Sequence, residues 1–531
     1  MDRTNHPGTQ FTSLLALLVV VAACGGGAPP SPPPPIFIDP PTLATFPGGH
    51  QQFTSRKLDF TVESVTWTVD EGPAGGTVDV TGRYQAPSTA GLYHLRATAV
   101  ANPAQSAVAA ISVGIAGAGD VDAAFGNNGR VHHLVSVTSG GIIGVAVQAD
   151  GRIVAVGTAT DGIRHDVAVA RYLASGALDP AFGVDGVALV QLPRAYLTAN
   201  ALALQPDGKI LVAGVLEVWG SGKLSFGLVR LDQTGALDPS FGTGGVVTTD
   251  IGTDSDVATA MALQPDGKVV VVGSTNQAAS AYDLAVVRFH PDGRLDTALG
   301  GTGIVRVAVS PLDDWANAVI IQADGKILVA GSAPALSARP SFLLARFSGG
   351  GALDATFGAG GIVTTDLSST RACAVSAVRI LPDSKLVAVG TLGDGGGQYS
   401  MLLARFDAAG SLDPGFGAGG VVTDSFTSLG GPGNDVALQA DGRIVVAGWA
   451  NLASPAQDAV FVVQRRETDG TLDGSFGLGG TSMTSFGLAR AGASVMTLQP
   501  DGRILAAGID NVSSQEAHFA LVRYLASAPI R

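Results

Sequence analysis

Short stretches in which apolar and polar residues alternate, separated by Gly, Pro, Asn and Asp, run along the chain from residue 36 onwards. Alternation with a period of two is typical of β-strands that bury one face. Some stretches, such as KVVVVG, KILVAG and RIVVAG, are apolar on both faces, which predicts strands buried between two layers. The pattern therefore predicts an all-β protein.

The strand pattern repeats seven times with three markers in one phase. An Asp in the phrase QxDGxI or a close variant recurs every 57 to 60 residues, at Asp150, Asp207, Asp266, Asp324, Asp383, Asp441 and Asp501. The second marker is the apolar residue of Phe-Gly or Leu-Gly, at Phe125, Phe182, Phe241, Leu299, Phe357, Phe416 and Phe476. The third marker is an Arg ending an apolar run, at Arg171, Arg230, Arg288, Arg346, Arg405, Arg465 or Arg466, and Arg523. A fixed period of this length indicates a repeat architecture.

Each unit holds four strand candidates, which in residues 178–231 read GVALVQL, ANALALQ, KILVAGV and FGLVRL. Four antiparallel strands repeated radially form the blades of a β-propeller. We therefore predict a seven-bladed β-propeller over residues 120–531, with units near 120–176, 177–235, 236–293, 294–351, 352–410, 411–470 and 471–531. An open solenoid is the alternative, although it would leave sheet edges that need caps.

Two units depart from the repeat, the fourth with TALGGTG and the fifth with LPDSK, where Ser384 replaces the turn glycine. We expect local irregularity there. The Asp residues of the Asp-Gly phrases are one unit apart, so we interpret them as turn residues rather than calcium ligands. We expect the recurrent arginines to pair with a nearby Asp in the following turn, such as Asp179, Asp238 or Asp413, or to cover apolar surface with their stems.

The N-terminus predicts export. Residues 11–23 form an apolar run of signal-peptide length, and the following VAACG resembles the lipobox of bacterial lipoproteins. That resemblance implies acylation of Cys24, a membrane partner through the lipid, and a cell-envelope location, as an outer-membrane lipoprotein or at the cell surface. We thus predict a signal peptide at 1–23 and a Gly/Pro-rich tether at 24–35.

Residues 36–115 predict a small β-sandwich, because short alternating strands are separated there by Gly, Pro and Asn turns. The phrases VTWTV, GGTVDVTGRYQAP and GLYHLRATAV resemble bacterial Ig-like surface domains that lack a disulfide. Trp67 is expected in the core of this domain.

The phrases GxLDxxFGxxGxV, LQPDGKIxVAG and LxRxxxxGxLD closely resemble the delta-60 repeat family of exported bacterial proteins. The resemblance covers about three quarters of the chain. It implies a propeller-like fold and a surface or secreted setting, and it brings no known catalytic residues.

Composition excludes several classes of function. The net charge of −13 argues against nucleic-acid binding, which rests on Lys and Arg. Neither Cys24 nor Cys373 lies in a zinc-type spacing, and Cys373 is expected to be a buried small hydrophobe. His132 and His133 are adjacent, and successive strand residues face opposite sides. We expect no cofactor, no metal and no catalytic motif of a known type.

The repeat varies in the connections from the first to the second and from the third to the fourth strand of a unit, which lie on one face of a propeller. Aromatic and charged residues in loops suit sugars or protein partners. The candidate ligand-binding residues are Arg194, Tyr196, Trp219, Asp254, Asp256, Tyr282, Asp313, Asp314, Trp315, Tyr399 and Trp449.

The leading hypothesis is a surface-anchored, non-enzymatic binding or adhesion lipoprotein that presents the propeller to an extracellular glycan or protein. One alternative is a polysaccharide-acting propeller enzyme that uses Asp254, Asp256, Asp313 and Asp314, which would require two acids about 5 to 10 Å apart. A structural component of the envelope is the third hypothesis.

Overall fold

The computed structural model divides the chain into two compact units, Met1–Ile115 and Ala116–Arg531. It describes residues 36–39, 42–45, 50–57, 64–87, 89, 91–113, 118–135, 138–160, 165–276, 281–334, 339–368, 371–393, 399–424, 426, 431–451, 459–486, 490–511 and 517–526. Cys24 and the predicted signal and tether lie outside the described residues. Within them the single helix is a short 3-10 turn, Gly72–Gly75, so the all-β prediction is confirmed.

The N-terminal unit contains three small sheets. Their strands are β1 Ile36–Asp39, β2 Thr42–Thr45, β3 His50–Gln52, β4 Thr54–Lys57, β5 Val65–Val69, β6 Thr77–Val78, β7 Arg83–Gln85, β8 Gly91–Ala99 and β9 Ser106–Val113. The sheets are β1-β4, β2-β9-β8-β5 and β3-β7-β6, and β2 runs parallel to β9. Phe53, Tyr84, Leu95 and Ile111 are buried in its core, and Trp67 packs against them.

The C-terminal unit is built from β10 to β37. The strands are β10 Arg130–His133, β11 Thr138–Val147, β12 Ile153–Thr160, β13 His165–Tyr172, β14 Val187–Val190, β15 Ala195–Leu204, β16 Ile210–Val218, β17 Leu224–Leu231, β18 Val246–Thr249, β19 Asp256–Leu263, β20 Val269–Thr275, β21 Asp283–Phe289, β22 Ile304–Val307, β23 Trp315–Ile321, β24 Ile327–Pro334, β25 Pro340–Phe347, β26 Ile362–Thr365, β27 Ala372–Ile380, β28 Leu386–Gly393, β29 Tyr399–Phe406, β30 Val421–Asp424, β31 Gly433–Leu438, β32 Ile444–Asn451, β33 Ala459–Arg466, β34 Thr481–Thr484, β35 Arg490–Leu498, β36 Ile504–Asn511 and β37 Ala517–Tyr524.

These strands form seven antiparallel four-stranded blades. Blades 1 to 6 are β11–β14, β15–β18, β19–β22, β23–β26, β27–β30 and β31–β34, and blade 7 is β35-β36-β37-β10. A single bridge between Ala459 and Arg490 joins blades 6 and 7. The first strands of neighbouring blades contact one another around the ring, so they are the innermost strands.

Buried apolar clusters lie between consecutive blades and prove that the ring is closed. On β12, Val154 packs in a cluster with Val212 of blade 2, whereas the adjacent Ile153 packs with Leu505 of blade 7. Successive residues of a strand face opposite sides, so the second strand of each blade is covered on both faces. The predicted seven-bladed propeller is therefore confirmed.

The blades are offset from the sequence units by one strand. The stretch GVALVQL, which opens the second unit, contains β14 and pairs with β13 of the preceding blade. By the same offset β10 has no preceding blade to join, and it pairs instead with β37 at the other end of the propeller. The first and last strands of the propeller thereby close the ring side by side.

The Asp-Gly phrases form the turns between the first and second strands. In blade 2 the Asp207 carboxylate accepts the N–H of Lys209 at 3.2 Å, and Gly208 has a φ of 81°. Ser384 keeps this turn with a φ of 68°, and its N–H donates to the Leu381 carbonyl at 2.9 Å. The irregularity expected in the fifth unit is therefore wrong.

The fourth unit also keeps the regular geometry. Leu299 is fully buried between blades 3 and 4, and the N–H of Gly300 donates to the Gly350 carbonyl at 2.9 Å. In the preceding blade, blade 2, the N–H of Gly242 makes the equivalent bond to the carbonyl of Asp292 in blade 3, also at 2.9 Å. Leu299 thus fills the buried position that Phe occupies in the other six units.

In blades 1 to 6 the recurrent Arg binds an Asp in the turn that follows, as predicted, and in blade 7 Arg523 binds Asp122 from the other end of the propeller. In blade 2, Arg230 Nε donates to Asp238 Oδ2 at 2.8 Å, and the guanidinium lies 4.6 Å from the centre of the Phe241 ring. Its Nη1 donates to the carbonyl of Pro291 in the next blade at 2.5 Å. The same Arg–Asp pair occurs in every blade, and in every blade the Arg Nη1 donates to a backbone carbonyl of the next blade.

Cys373 is buried between blades 4 and 5, and burial raises the pKa of its thiol. Both observations fit its interpretation as a small apolar core residue.

Candidate functional site

All eleven predicted ligand-binding residues lie at one end of the blades. We define the variable face as the end that carries the connections from second to third strand and from one blade to the next. The opposite end, the turn face, carries the Asp-Gly turns. Two surface depressions of the described residues lie on the turn face, one beside His290 and Arg294 and one beside Asp441 and Gln499.

Tyr196 and Trp219 form an aromatic pair on the variable face of blade 2. Their ring centres are 5.6 Å apart and their planes are inclined by 37°. The antiparallel pairing of β15 with β16 brings them together, and the N–H of Trp219 donates to the Arg194 carbonyl at 2.9 Å. Trp219 is 47% exposed. His165 of blade 1 lies edge-on to Tyr196 with ring centres 6.4 Å apart, so the aromatic surface reaches the neighbouring blade.

A second pair, Tyr282 and Trp315, is stacked with ring centres 4.7 Å apart. Tyr282 precedes β21 of blade 3, and Trp315 begins β23 of blade 4, so this pair spans two blades. Asp313 Oδ1 accepts the N–H of Tyr282 at 3.0 Å, and the N–H of Asp314 donates to the Tyr282 carbonyl at 2.7 Å. These bonds hold the loop of one blade against the next.

Asp256 and Asp314 occupy equivalent positions at the entries to blades 3 and 4, and both are fully buried. Asp256 accepts the N–H groups of Ile251 and Gly252 at 2.7 and 3.0 Å and the Thr275 hydroxyl at 2.5 Å. Asp314 accepts two backbone N–H groups of its own loop in the same way. Burial raises the pKa of the Asp314 carboxyl. Both carboxylates thus fix the shape of their loops.

The remaining predicted residues, Asp254, Tyr399 and Trp449, lie at other places on the variable face. Asp254 is exposed in the loop before β19. Tyr399, also exposed, lies across the strand pair from Gly393. Trp449 is half-buried and packs against Gly492 of blade 7, where a Cβ would lie 2.9 Å from the Trp449 Cβ.

Sequence reasoning missed one cluster on the variable face, formed by His132, Asp510 and His518. Their ligand-type atoms all lie within 4.8 Å of one another. Burial raises the pKa of the Asp510 carboxyl. His133, the neighbour of His132, faces blade 1, where burial lowers its pKa to about 4 and its ring lies edge-on to Tyr172. The two adjacent histidines therefore face opposite sides of the sheet, as the sequence predicts.

Taken with the ring of blades, the repeats define the class as a seven-bladed β-propeller of a propeller-like repeat family. Residues 148–182, 205–241, 264–298, 322–357, 381–416, 439–476 and 499–527 match the model "Domain of unknown function (DUF5122) beta-propeller". A comparison with curated protein sequences finds no match.

Several solved structures are similar to this chain at low identity. A catalytically inactive virginiamycin B lyase from Staphylococcus aureus, solved with quinupristin, is 9% identical over 74% of this chain and 98% of its own, with a TM-score of 0.42. A protein of unknown function from Dyadobacter fermentans is 12% identical over 75% and 99%, with a TM-score of 0.39. An α-L-arabinofuranosidase of Fusarium graminearum, solved with arabinobiose, is 12% identical over 62% and 92%, with a TM-score of 0.39.

None of the helices in the described part of the chain is long and apolar enough to cross a membrane.

Proposed function

We propose that this protein is a surface-anchored, non-enzymatic binding lipoprotein and that its variable face binds an extracellular glycan. The observation that carries the proposal is the pair of half-buried Tyr196 and exposed Trp219, whose ring centres are 5.6 Å apart. Aromatic side chains held in place at a surface supply large contact area at low cost in conformational entropy. Two inclined rings offer such a surface to the apolar faces of sugar rings.

Charged groups beside this pair favour a polar ligand. Arg194 is exposed and adjoins the pair through its carbonyl, and Glu217 lies across the strand from Tyr196. A sugar presents hydroxyl groups around an apolar ring face. The aromatic pair would contact the ring face, and the charged groups beside it would bind the hydroxyl groups. A protein partner remains an outcome of the test.

The enzyme alternative receives less support from the carboxylates it would use. Asp256 and Asp314 accept hydrogen bonds from their own loops, and Asp313 accepts one from Tyr282. A hydrolase of this kind needs two acids facing one substrate bond. The bonds that these carboxylates make favour a binding protein over a hydrolase.

The proposal places the propeller outside the cell, attached through acylated Cys24 and the Gly/Pro-rich segment at 24–35, with residues 36–115 as an Ig-like stalk. Labelling of cells with a radioactive fatty acid should mark the wild-type chain and leave the Cys24→Ala chain unmarked. Equal labelling of both chains would contradict the anchor.

A glycan array probed with the purified full chain tests the binding function. We expect the wild type to bind at least one class of glycan and Trp219→Ala to bind it at least about tenfold more weakly, because a central aromatic contact is worth about 2 kcal/mol or more and about 1.4 kcal/mol is a tenfold change. The matched control is Leu478→Ala, which removes a side chain that is 89% exposed on the turn face. Release of shortened sugars would support the enzyme alternative, and binding to surface-protein arrays alone would overturn the glycan as the ligand.

A further inference from the structure

The cluster of His132, Asp510 and His518 lies where the two ends of the propeller meet. His132 is on β10, and the other two residues are on β36 and β37. In the sheet of blade 7, His132 lies opposite Ala520 and Asp510 lies opposite His518. His518 and Ala520 are two residues apart on one strand, so all three side chains project from the same face of the sheet.

The three side chains are close enough to share one ion. The Nδ1 of His132 lies 3.4 Å from Oδ2 of Asp510, and the two imidazole rings have centres 5.7 Å apart. Their ligand-type atoms all fall within 4.8 Å of one another. Ligands of a metal ion at about 2.0 to 2.2 Å are separated by somewhat less than this, so small side-chain rotations would complete the site.

A second observation independently favours a cation. Asp510 is 0% exposed, and among the described residues neither of its oxygens accepts a hydrogen bond of good geometry, although His132 Nδ1 lies 3.4 Å from Oδ2. A buried carboxylate without such partners is costly unless a cation compensates its charge. The side chain of His132 is 45% exposed, so solvent can reach the cluster and complete the coordination of an ion. Phe486 also lies beside His132, with ring centres 5.9 Å apart.

We propose that His132, Asp510 and His518 bind one divalent transition-metal ion of the zinc class and that this ion fastens the seam of the propeller. Two imidazoles and one carboxylate suit Zn²⁺, Ni²⁺ or Fe²⁺, whereas Ca²⁺ and Mg²⁺ require mainly oxygen ligands. The ion ties β10 to β36 and β37, and these strands come from opposite ends of the propeller. An ion that binds only the closed ring stabilises that ring by mass action.

Titration of the metal-free full chain with Zn²⁺ by calorimetry tests the site. We expect one ion per propeller, with affinity reduced at least about tenfold in Asp510→Asn and in His518→Ala. The control is His290→Ala, because His290 is also an exposed histidine beside a carboxylate, with its Nε2 3.6 Å from Asp296 Oδ1. That variant should bind Zn²⁺ like the wild type. A Co²⁺ derivative provides a second readout, since its visible spectrum reports nitrogen and oxygen ligands and should disappear in the two site variants.

Thermal unfolding tests the role of the ion at the seam. Zn²⁺ should raise the unfolding midpoint of the wild type and of His290→Ala, and Ca²⁺ at the same concentration should not. Circular dichroism in a chelator should show that Asp510→Asn is folded, which separates loss of the site from loss of the fold. Unchanged Zn²⁺ affinity in both site variants would overturn the site, and binding that leaves the wild-type midpoint unchanged would overturn the fastening of the seam.

Discussion

At the scale of single residues, Ser384 adopts a backbone conformation that glycine supplies in the equivalent turns of the other six units. Its φ is 68°, and the glycines have φ between 79° and 87°. A side chain costs about 1 to 2 kcal/mol in the left-handed region, and glycine avoids that cost.

We therefore predict that Ser384→Gly raises the free energy of unfolding by about 1 kcal/mol. Urea unfolding followed by circular dichroism would measure the difference. The reverse change in the next blade, Gly442→Ser, should lower the stability by a similar amount. A Ser384→Gly chain less stable than the wild type would show that the serine side chain contributes more than its strain costs.

Single residues also show how far the sequence could predict the site. The variability of the loops was enough to choose Tyr196, Trp219, Tyr282 and Trp315, because departures from a repeat are visible in one sequence. Which aromatic rings pair depends on strand register and on how closely neighbouring blades approach. Neither can be predicted from the spacing of these residues along the sequence. Asp256 resembled a ligand-binding residue in sequence, yet its carboxylate accepts the N–H groups of its own loop.

At the scale of the blade, the Arg–Asp pair combines charge, turn geometry and contact with the next blade. In blade 5, Asp413 Oδ2 lies 2.9 Å from Lys385 Nζ and 2.8 Å from Arg405 Nε. Its Oδ1 accepts the N–H of Gly415 at 3.0 Å. The Lys385 ammonium, this N–H group and the Arg405 guanidinium lower the pKa of the Asp413 carboxyl to about 2.

This lowered pKa predicts a loss of stability in acid. The folded chain favours the ionised carboxylate, so its stabilising effect is complete above the ordinary pKa of 3.8 and is lost as the pH falls through about 2. Asp413→Asn should be less stable than the wild type at pH 7 and should lose less stability between about pH 4 and pH 2. Urea unfolding at a series of pH values measures both effects.

The control for this experiment is Asp185→Asn, which changes an exposed carboxylate in a turn with a φ of 51° that Asn tolerates. Its pH dependence should follow the wild type. An Asp413→Asn chain with the wild-type dependence on pH would mean that the bridge contributes nothing to acid unfolding.

The blades also show which part of the fold the sequence pattern cannot predict. The period of the repeat and its four strands were predictable, because hydrophobic alternation and Asp-Gly turns are local signals. The strand at which a blade begins was not, because a repeat can be divided at any point of its period without changing the pattern. Pairing of β14 with β13 across the sequence-defined unit boundary settles the division.

At the scale of the whole molecule, this offset decides how the ring closes. Because each unit gives its first strand to the preceding blade, the unit at the N-terminal end must give β10 to blade 7. The cluster of His132, Asp510 and His518 could be foreseen only by joining the two ends in this way. Asp122 of the first sequence unit also contacts blade 7, where its Oδ2 accepts a hydrogen bond from Arg523 Nε at 2.8 Å.

The seam should be the place where the ring opens most easily, since β10 pairs with a strand from the opposite end of the propeller, whereas the outer strand of each other blade follows its partner strand along the chain. Asp122 and Asp238 make the same bond to an Arg, but Asp238 lies eight residues from its partner, whereas Asp122 lies 401 residues from Arg523. Loss of the Asp238 bond therefore weakens one turn, whereas loss of the Asp122 bond weakens the closure of the ring.

We predict that Asp122→Ala increases amide hydrogen exchange throughout β10 and β37, while Asp238→Ala increases it only near its own turn in blade 2. Exchange measured by mass spectrometry on peptides from each blade would compare the two variants. Equal and local effects would show that the buried clusters on both sides of blade 7 close the ring without help from the ion pair, and the seam would then be as stable as any other junction between blades.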